Sequence, residues 1–272
     1  MSDMRFWKIA PGKKGFLWVE QRDNNCIAVG WSDIKDNLNK YKTKEAIEKK
    51  FRKVYKNSSP RQLLEFYSDV KKGDGVVASS GKWLYGVGTV TGGYKYREDL
   101  YFRHSKPVSW EYTFWEPLNV EELTLPKKLV KRLRLNRTIL ELTEEEWESI
   151  HKVVSRTKNP FKGLPSWEGL CRAPQTEQEV IILFSKLSQI LKMKIEYVST
   201  RFPDALVRIK KSNNWITKYV EFEINSSDFK KHEHDQNKHV KCDMIICWRD
   251  DWKRKPKNIR VVELKRELER II

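Results

Sequence analysis

Long apolar runs are missing from this sequence. None approaches the roughly 18 residues that a bilayer-crossing helix needs, and no signal peptide precedes Phe6-Trp7, so a soluble, cytoplasmic protein is expected. Cysteine is scarce, with four residues and no paired framework, which excludes a disulfide-built scaffold and fits a reducing compartment. There is no Walker loop, no dinucleotide fingerprint and no internal repeat, so nothing supports a nucleotide cofactor. Acidic residues are also in short supply: 54 Lys and Arg stand against 37 Asp and Glu, a net charge of +17. That excess favours a polyanionic partner, because each phosphate contacted by Lys or Arg releases counterions. Nucleic acid is the leading candidate; an anionic membrane competes on charge but has no apolar anchor to add. The 272 residues suggest two domains of ordinary size.

Residues 1–155 read as a small, strand-rich barrel with helices attached. Phe6–Ile9, Gly15–Gln21 and Ile27–Gly30 are short β-type runs separated by turn signals. Lys44–Tyr55 carries Ala46, Ile47, Phe51 and Tyr55 at helical spacing, and Pro60 opens a second helix over Arg61–Val70. Val76–Ser79 and Trp83–Val90 form the clearest hairpin. Pro126–Leu133 is a basic helix, Thr138–Leu142 a short strand, and Thr143-Glu144-Glu145-Glu146 a capping box. Trp31, Trp83, Trp110 and Trp115 are many tryptophans for a domain this small. Each has core packing as its ordinary role, but a reader of bases needs some aromatic faces free for stacking.

The stretches Val29-Gly30-Trp31-Ser32, Val76 to Gly88 and Pro107-Val108-Ser109-Trp110 resemble the YTH and EVE group of the PUA-like superfamily. The resemblance implies a PUA-like β-barrel with a methyl-base cage at Trp31, Ser32 and Trp110. Trp83 matches a strand aromatic of that group and completes the candidate modified-base-binding set.

Residues 156–175, with Pro160, Gly163, Pro165, Gly169 and Pro174, read as a linker. Residues 176–272 then form a second domain. Leu206–Lys210 and Trp215–Ile224 are strand-like and flank the turn Lys211-Ser212-Asn213-Asn214. A hairpin through that turn sets Asp204 opposite Glu221. The period of two puts Tyr219, Glu221 and Glu223 on one face, with Val220, Phe222 and Ile224 on the other. Glutamates on a strand are often only its solvated face. Here Asp204, Glu221 and Glu223 converge, and carboxylates so grouped suit a hard divalent cation, Mg2+ or Mn2+, which acidifies an attacking water and stabilises an in-line phosphoryl displacement.

The element order supports the comparison further: a helix from Thr176, a strand near Ile195–Thr200, the hairpin, a helix from Ser226 and a strand Asp243–Trp248 resemble the PD-(D/E)XK restriction-endonuclease core. Pro203-Asp204 matches its first motif element and Glu221-Phe222-Glu223 its second, in the E-x-E form where glutamate replaces the usual lysine. The resemblance implies an α/β core with metal ligands Asp204, Glu221 and Glu223. The lysine's role is left to Lys230 or Lys231, with His232 and His234 nearby facing the scissile phosphate or merely solvated. A rival placement of the motif is Asp243 with Glu263-Leu264-Lys265. Zinc at His232, His234, Cys242 and Cys247 is a further alternative; it is disfavoured because an odd separation points Cys242 and Cys247 to opposite faces of an extended run.

The fold class expected is α+β in two domains, a PUA-like barrel followed by a restriction-endonuclease-like core. The function expected is a type IV-like, modification-dependent endonuclease on double-stranded DNA, dimeric at least on DNA. The alternative is an RNA- or DNA-binding protein with a degenerate, non-catalytic nuclease domain, which the missing motif lysine favours.

Overall fold

A computed structural model describes residues 4–31, 33–56, 59–157, 169–212, 214–231 and 242–271. The chain divides into two compact units, Met1–Lys162 and Gly163–Ile272.

The first unit is built on one strongly curled sheet. Its strands are β1 (Phe6–Ile9), β2 (Cys26–Val29), β3 (Gly75–Ser80), β4 (Trp83–Val90), β5 (Lys95–Tyr96), β6 (His104–Asn119) and β7 (Ile139–Leu142), in the order β2-β6-β4-β3-β1-β7 with β5 also on β6. β6 is 16 residues long and makes the curl: its first part pairs with β2 and its later part with β4, across two register shifts. Gly86 and Gly88 permit the close approach there. A β-carbon on Gly86 would lie 2.5 Å from the Trp18 ring, and one on Gly88 would collide with the Ser109 carbonyl.

Two expectations are corrected in this unit. Gly15–Gln21 is not a strand but a turn leading into helix α1 (Trp18–Asp23). Trp18 and Gln21, one helical turn apart, are both buried. The Gln21 amide accepts from Ala28 N at 3.1 Å and donates to Ala28 O at 3.0 Å, in the manner of a strand partner on β2. The second correction follows from the first. With that edge of β2 occupied, no ladder joins β2 to β7 among the described residues, and the expected barrel is an open half-barrel.

The helices follow their caps. Thr43 Oγ1 accepts from Ala46 N to open α2 (Lys44–Val54), which buries Ile47 and Phe51. α3 (Arg61–Leu64) continues into a wider turn over Glu65–Asp69. α4 is Lys127–Leu133. The capping box of Thr143 and Glu146 opens α5 (Glu144–Arg156), whose Ile150 and Val154 join a core with Phe6, Val77 and Leu140.

In the second unit, Thr176 caps α6 (Glu177–Leu187). Five strands follow: β8 (Met193–Val198), β9 (Ala205–Lys211), β10 (Asn214–Asn225), β11 (Met244–Arg249) and β12 (Arg260–Glu263). The sheet order is β12-β11-β10-β9-β8; β10, β11 and β12 run parallel, while β8 and β9 are antiparallel to their neighbours. α7 (Asp228–Lys231) joins β10 towards β11 and α8 (Leu264–Ile271) ends the chain. α6 lies on β10 and β11. Its buried Val180, Leu183, Phe184 and Leu187 meet the face of Val220 and Phe222, with the Phe184 and Phe222 rings 5.5 Å apart. One face of β10 is thereby committed to the core.

Candidate functional site

The opposite face of β10 carries Tyr219, Glu221 and Glu223. The ladder pairs Ala205 with Val220, so Asp204 falls opposite Glu221, as the hairpin turn predicts. Main-chain hydrogen bonds tie the two carboxylates across the strands: Asp204 N donates to Glu221 Oε1 and Phe222 N donates to Asp204 Oδ2, each at 2.9 Å. Glu221 and Glu223 are only 3% and 1% exposed. Their ladder neighbours Ile245 and Cys247 form an apolar cluster with Phe229 of α7.

Burial has a large electrostatic consequence. Loss of solvent, and then the charge of Asp204, pushes the Glu221 carboxyl up to about 8. Loss of solvent, followed by the charges of Glu177, Asp228, Glu221 and Asp204, pushes Glu223 up to about 8. Glu177 was not singled out by the sequence reading. It is the first residue of α6, and the signal was its place directly after the Thr176 cap, where an acid also suits the helix dipole.

Among the described residues, no group of three His, Cys, Asp or Glu side chains stands ready to hold a metal ion. Mg2+ is commonly held by one or two carboxylates with waters and substrate oxygens completing the shell. Asp204 and Glu221 are two carboxylates of that type, held across the ladder by main-chain donors, and Glu223 is the next on the same face. The donor chemistry therefore fits a hard divalent cation.

The remaining expected residues separate. Lys230 lies exposed on α7. His232 and His234 lie outside the described residues. In the rival motif, Asp243 accepts from Tyr219 N at 3.1 Å and from Lys218 Nζ at 3.3 Å, and Glu263 accepts from Asp250 N at 3.2 Å; both bind neighbouring backbone. Cys242 and Cys247 do not point apart: β11 begins at Met244, so Cys242 precedes the extended run, and both border the Phe229 cluster. Burial raises both thiols, Cys242 to about 12, and each donates to a main-chain carbonyl.

In the first unit, Trp31 follows β2 in a left-handed backbone conformation, φ 68°, which is uncommon for a bulky residue. The loop it begins is pinned from below. His104 is fully buried and its Nε2 lies 3.2 Å from Ile34 O; Tyr94 Oη lies 2.8 Å from His104 Nδ1 and accepts from Leu38 N; Tyr55 Oη donates to Asp33. Burial lowers His104 to about 4, so the imidazole is neutral at physiological pH. Trp31 and Trp110 both border one core cluster that includes Phe51. Trp31 meets Phe51 edge-on at 6.3 Å and Trp110 meets Trp18 edge-on at 4.9 Å. The Trp110 ring nitrogen is buried with no hydrogen-bond partner among the described residues. Trp83 borders the cluster of Trp18, Ala78 and Tyr85, which Trp110 also borders, with Lys82 over the Trp83 ring at 5.1 Å. Ser32 lies outside the described residues.

Among solved structures, the YTH domain of Zygosaccharomyces rouxii MRB1, in complex with N6-methyladenosine RNA, is 13% identical, covers 58% of this chain and 88% of its own, and has a TM-score of 0.34. Rpa0253 from Rhodopseudomonas palustris is 13% identical over 57% of this chain and 96% of its own, with a TM-score of 0.35. The Mmi1 YTH domain is 10% identical over 56% and 75%, with a TM-score of 0.31. No curated protein matches the chain. A family model matches residues 7–142, half of the sequence and nearly all of the curled sheet, and the chain belongs to that family, described as Domain of unknown function (DUF8426).

Proposed function

We propose that this protein is a modification-dependent DNA endonuclease, in which the first unit captures a modified base and the second cuts with a divalent metal. The observation that carries this reading is the pairing of Asp204 with Glu221 across the β9–β10 ladder, with Glu223 two residues on and all three on one sheet face. When bound, the ion supplies an acidified water and stabilises charge on the transferring phosphoryl group. Asp204 and Glu221 orient each other through main-chain donors, Glu223 offers a further oxygen, and the apolar cluster around Phe229 limits water on that face. In the first unit, Trp31 and Trp110 offer ring faces to a flipped base and the Trp110 Nε1 offers a donor. Division of labour gives selectivity, because a site that holds the unmodified base weakly does not keep the nuclease on unmodified DNA. A cut in both strands calls for two nuclease units, hence a dimer on DNA.

Modified and unmodified plasmids incubated with Mg2+ or Mn2+ provide the test. Cleavage of modified plasmid is expected, with D204A and E221A abolishing it while DNA binding is retained. Full activity in both variants removes the proposed site. A second reading, a nucleic-acid binder without cleavage, is favoured by the glutamate at position 223 where the motif carries lysine. Modification-selective binding with no cleavage in either metal would establish it.

A further inference from the structure

The face of β9 and β10 that carries the carboxylates continues towards the hairpin turn, and its character changes along the way. From the ladder, Asp204, Leu206, Arg208 and Lys210 of β9 share a face with Glu221, Tyr219, Thr217 and Trp215 of β10, and Lys194 of β8 lies beside Arg208. Glu221 is buried, whereas Tyr219, Thr217, Arg208, Lys210 and Lys194 are exposed. The far end opens into a cavity of about 800 Å3 whose lining includes Gln189, Lys192, Lys194, Lys210 and Trp215. Glu221 and Trp215 are six residue steps apart along β10, about 20 Å at 3.3–3.4 Å per residue.

Lys192, Lys194 and Lys210 make no ion pair with a carboxylate among the described residues, nor does Arg208. Lys194 Nζ instead lies 4.8 Å from the centre of the Trp215 ring. The one acid of β8 beside this row, Glu196, accepts from Thr217 Oγ1. Two lining residues, Lys192 and Ser212, have left-handed backbones, φ 56° and 53°, a conformation that costs energy outside glycine. Solvated lysines on a hairpin are ordinary; unpaired cations gathered around a concavity, beside an aromatic and on the same face as a carboxylate pair, have a more specific use.

We propose that this cavity and the row leading to it bind the sugar-phosphate backbone of DNA, holding a phosphate about six nucleotides from the carboxylates, since the rise per nucleotide of one strand is about 3.4 Å. The inference deepens the nuclease reading and rests on it for direction. The ligand chemistry is a phosphodiester, with the lysines supplying point charges and Trp215 a surface for the flanking sugar or base.

The experiment uses the full chain without divalent metal, so that binding is read apart from cleavage. Affinity for a 20-base-pair duplex is measured by fluorescence anisotropy across a salt series for wild type, K194Q/K210Q and K194R/K210R. Loss of two phosphate contacts is expected to flatten the slope of log K against log salt by about 1.8 and to weaken binding about ten- to thirtyfold near physiological salt. The arginine variant should retain the wild-type slope, and melting temperatures of all three should agree because the side chains are exposed. An unchanged slope and affinity in K194Q/K210Q overturns the proposal. Inorganic phosphate titrated alone separates the two sources of the anion: micromolar binding lost in K194Q/K210Q would make this a free-phosphate site and also overturn it. Failure here, with cleavage still abolished by D204A, removes the track and leaves the nuclease reading; an intact slope effect with no cleavage in any metal removes that reading instead.

Discussion

Glu221 and Glu223 are raised from an ordinary 4.5 to about 8, chiefly by burial. A carboxyl whose folded pKa exceeds its unfolded value stabilises the fold fully below the unfolded value, and that contribution is lost as pH rises through the folded one. The metal-free second unit is therefore expected to lose stability between pH 4.5 and 8. Calorimetry in EDTA should show its transition falling over that window, and E223Q, which keeps the side chain neutral, should shrink the fall. Mg2+ added at the upper end should raise the transition, because an ion that binds only the folded state shifts the equilibrium by mass action. A transition indifferent to pH would contradict the raised carboxyls, and one that falls with pH but does not respond to Mg2+ would show buried acids without a cation site.

At the scale of elements, the strand-to-loop junction after β2 is one place where the first unit departs from regular geometry. Trp31 is held in a left-handed conformation while His104, Tyr94 and Tyr55 hold the following residues by hydrogen bonds. Strain kept in place by several independent contacts is a feature of binding sites. Removing an aromatic that stacks on a base costs about 1–3 kcal/mol, so W31A should weaken binding to modified DNA roughly ten- to a hundredfold. Binding to unmodified DNA, carried by phosphate contacts, should hardly change. The quantity to measure is the ratio of the two affinities at one salt concentration. A wild-type ratio near one for N6-methyladenine, 5-methylcytosine and 5-hydroxymethylcytosine would make the half-barrel a general binder, and a large ratio that survives W31A and W110A would put the pocket elsewhere.

For the whole molecule, the first unit buries bases whose pKa falls and the second buries acids whose pKa rises, so the two respond oppositely to pH. In the first unit His104 is lowered from 6.5 to about 4, and the buried Lys8 and Lys106 from 10.5 to about 8, all chiefly by burial. The lysine ammonium groups donate to main-chain carbonyls, Lys8 to those of Leu135 and Arg137, Lys106 to those of Tyr67 and Val70. A base whose folded pKa is depressed takes up protons more readily when unfolded, so stability rises with pH between the two values. The first unit should gain stability from pH 4 to 6.5 through His104 and again from 8 to 10.5 through the lysines, while the second falls between 4.5 and 8. Calorimetric scans of the full chain should resolve two transitions moving in opposite directions between about pH 4.5 and 6.5, and transitions that move together would contradict this assignment.

The pairing of Asp204 with Glu221, the shared face of Glu221 and Glu223, the capping box at Thr143 and the helix start at Thr176, and the Val76–Val90 hairpin were all legible in the sequence, because each depends on a local period or on a turn length that the chain itself sets. The net charge of +17 was likewise a matter of counting. What the tertiary structure decided depends on which distant element comes to lie on a given surface. The sequence could not show that Ile245, Cys247 and Phe229 would bury the glutamates and hold their protons near neutrality, nor that Glu177, from a helix before the sheet, would add its charge. Nor could alternation show that Gln21 would occupy the edge of β2 and leave the barrel open, or that Cys242, lying just before β11, would turn to the same cluster as Cys247. Hydrogen-bond ladders read along the chain, but burial and the fields it creates are set by contacts between segments far apart in it.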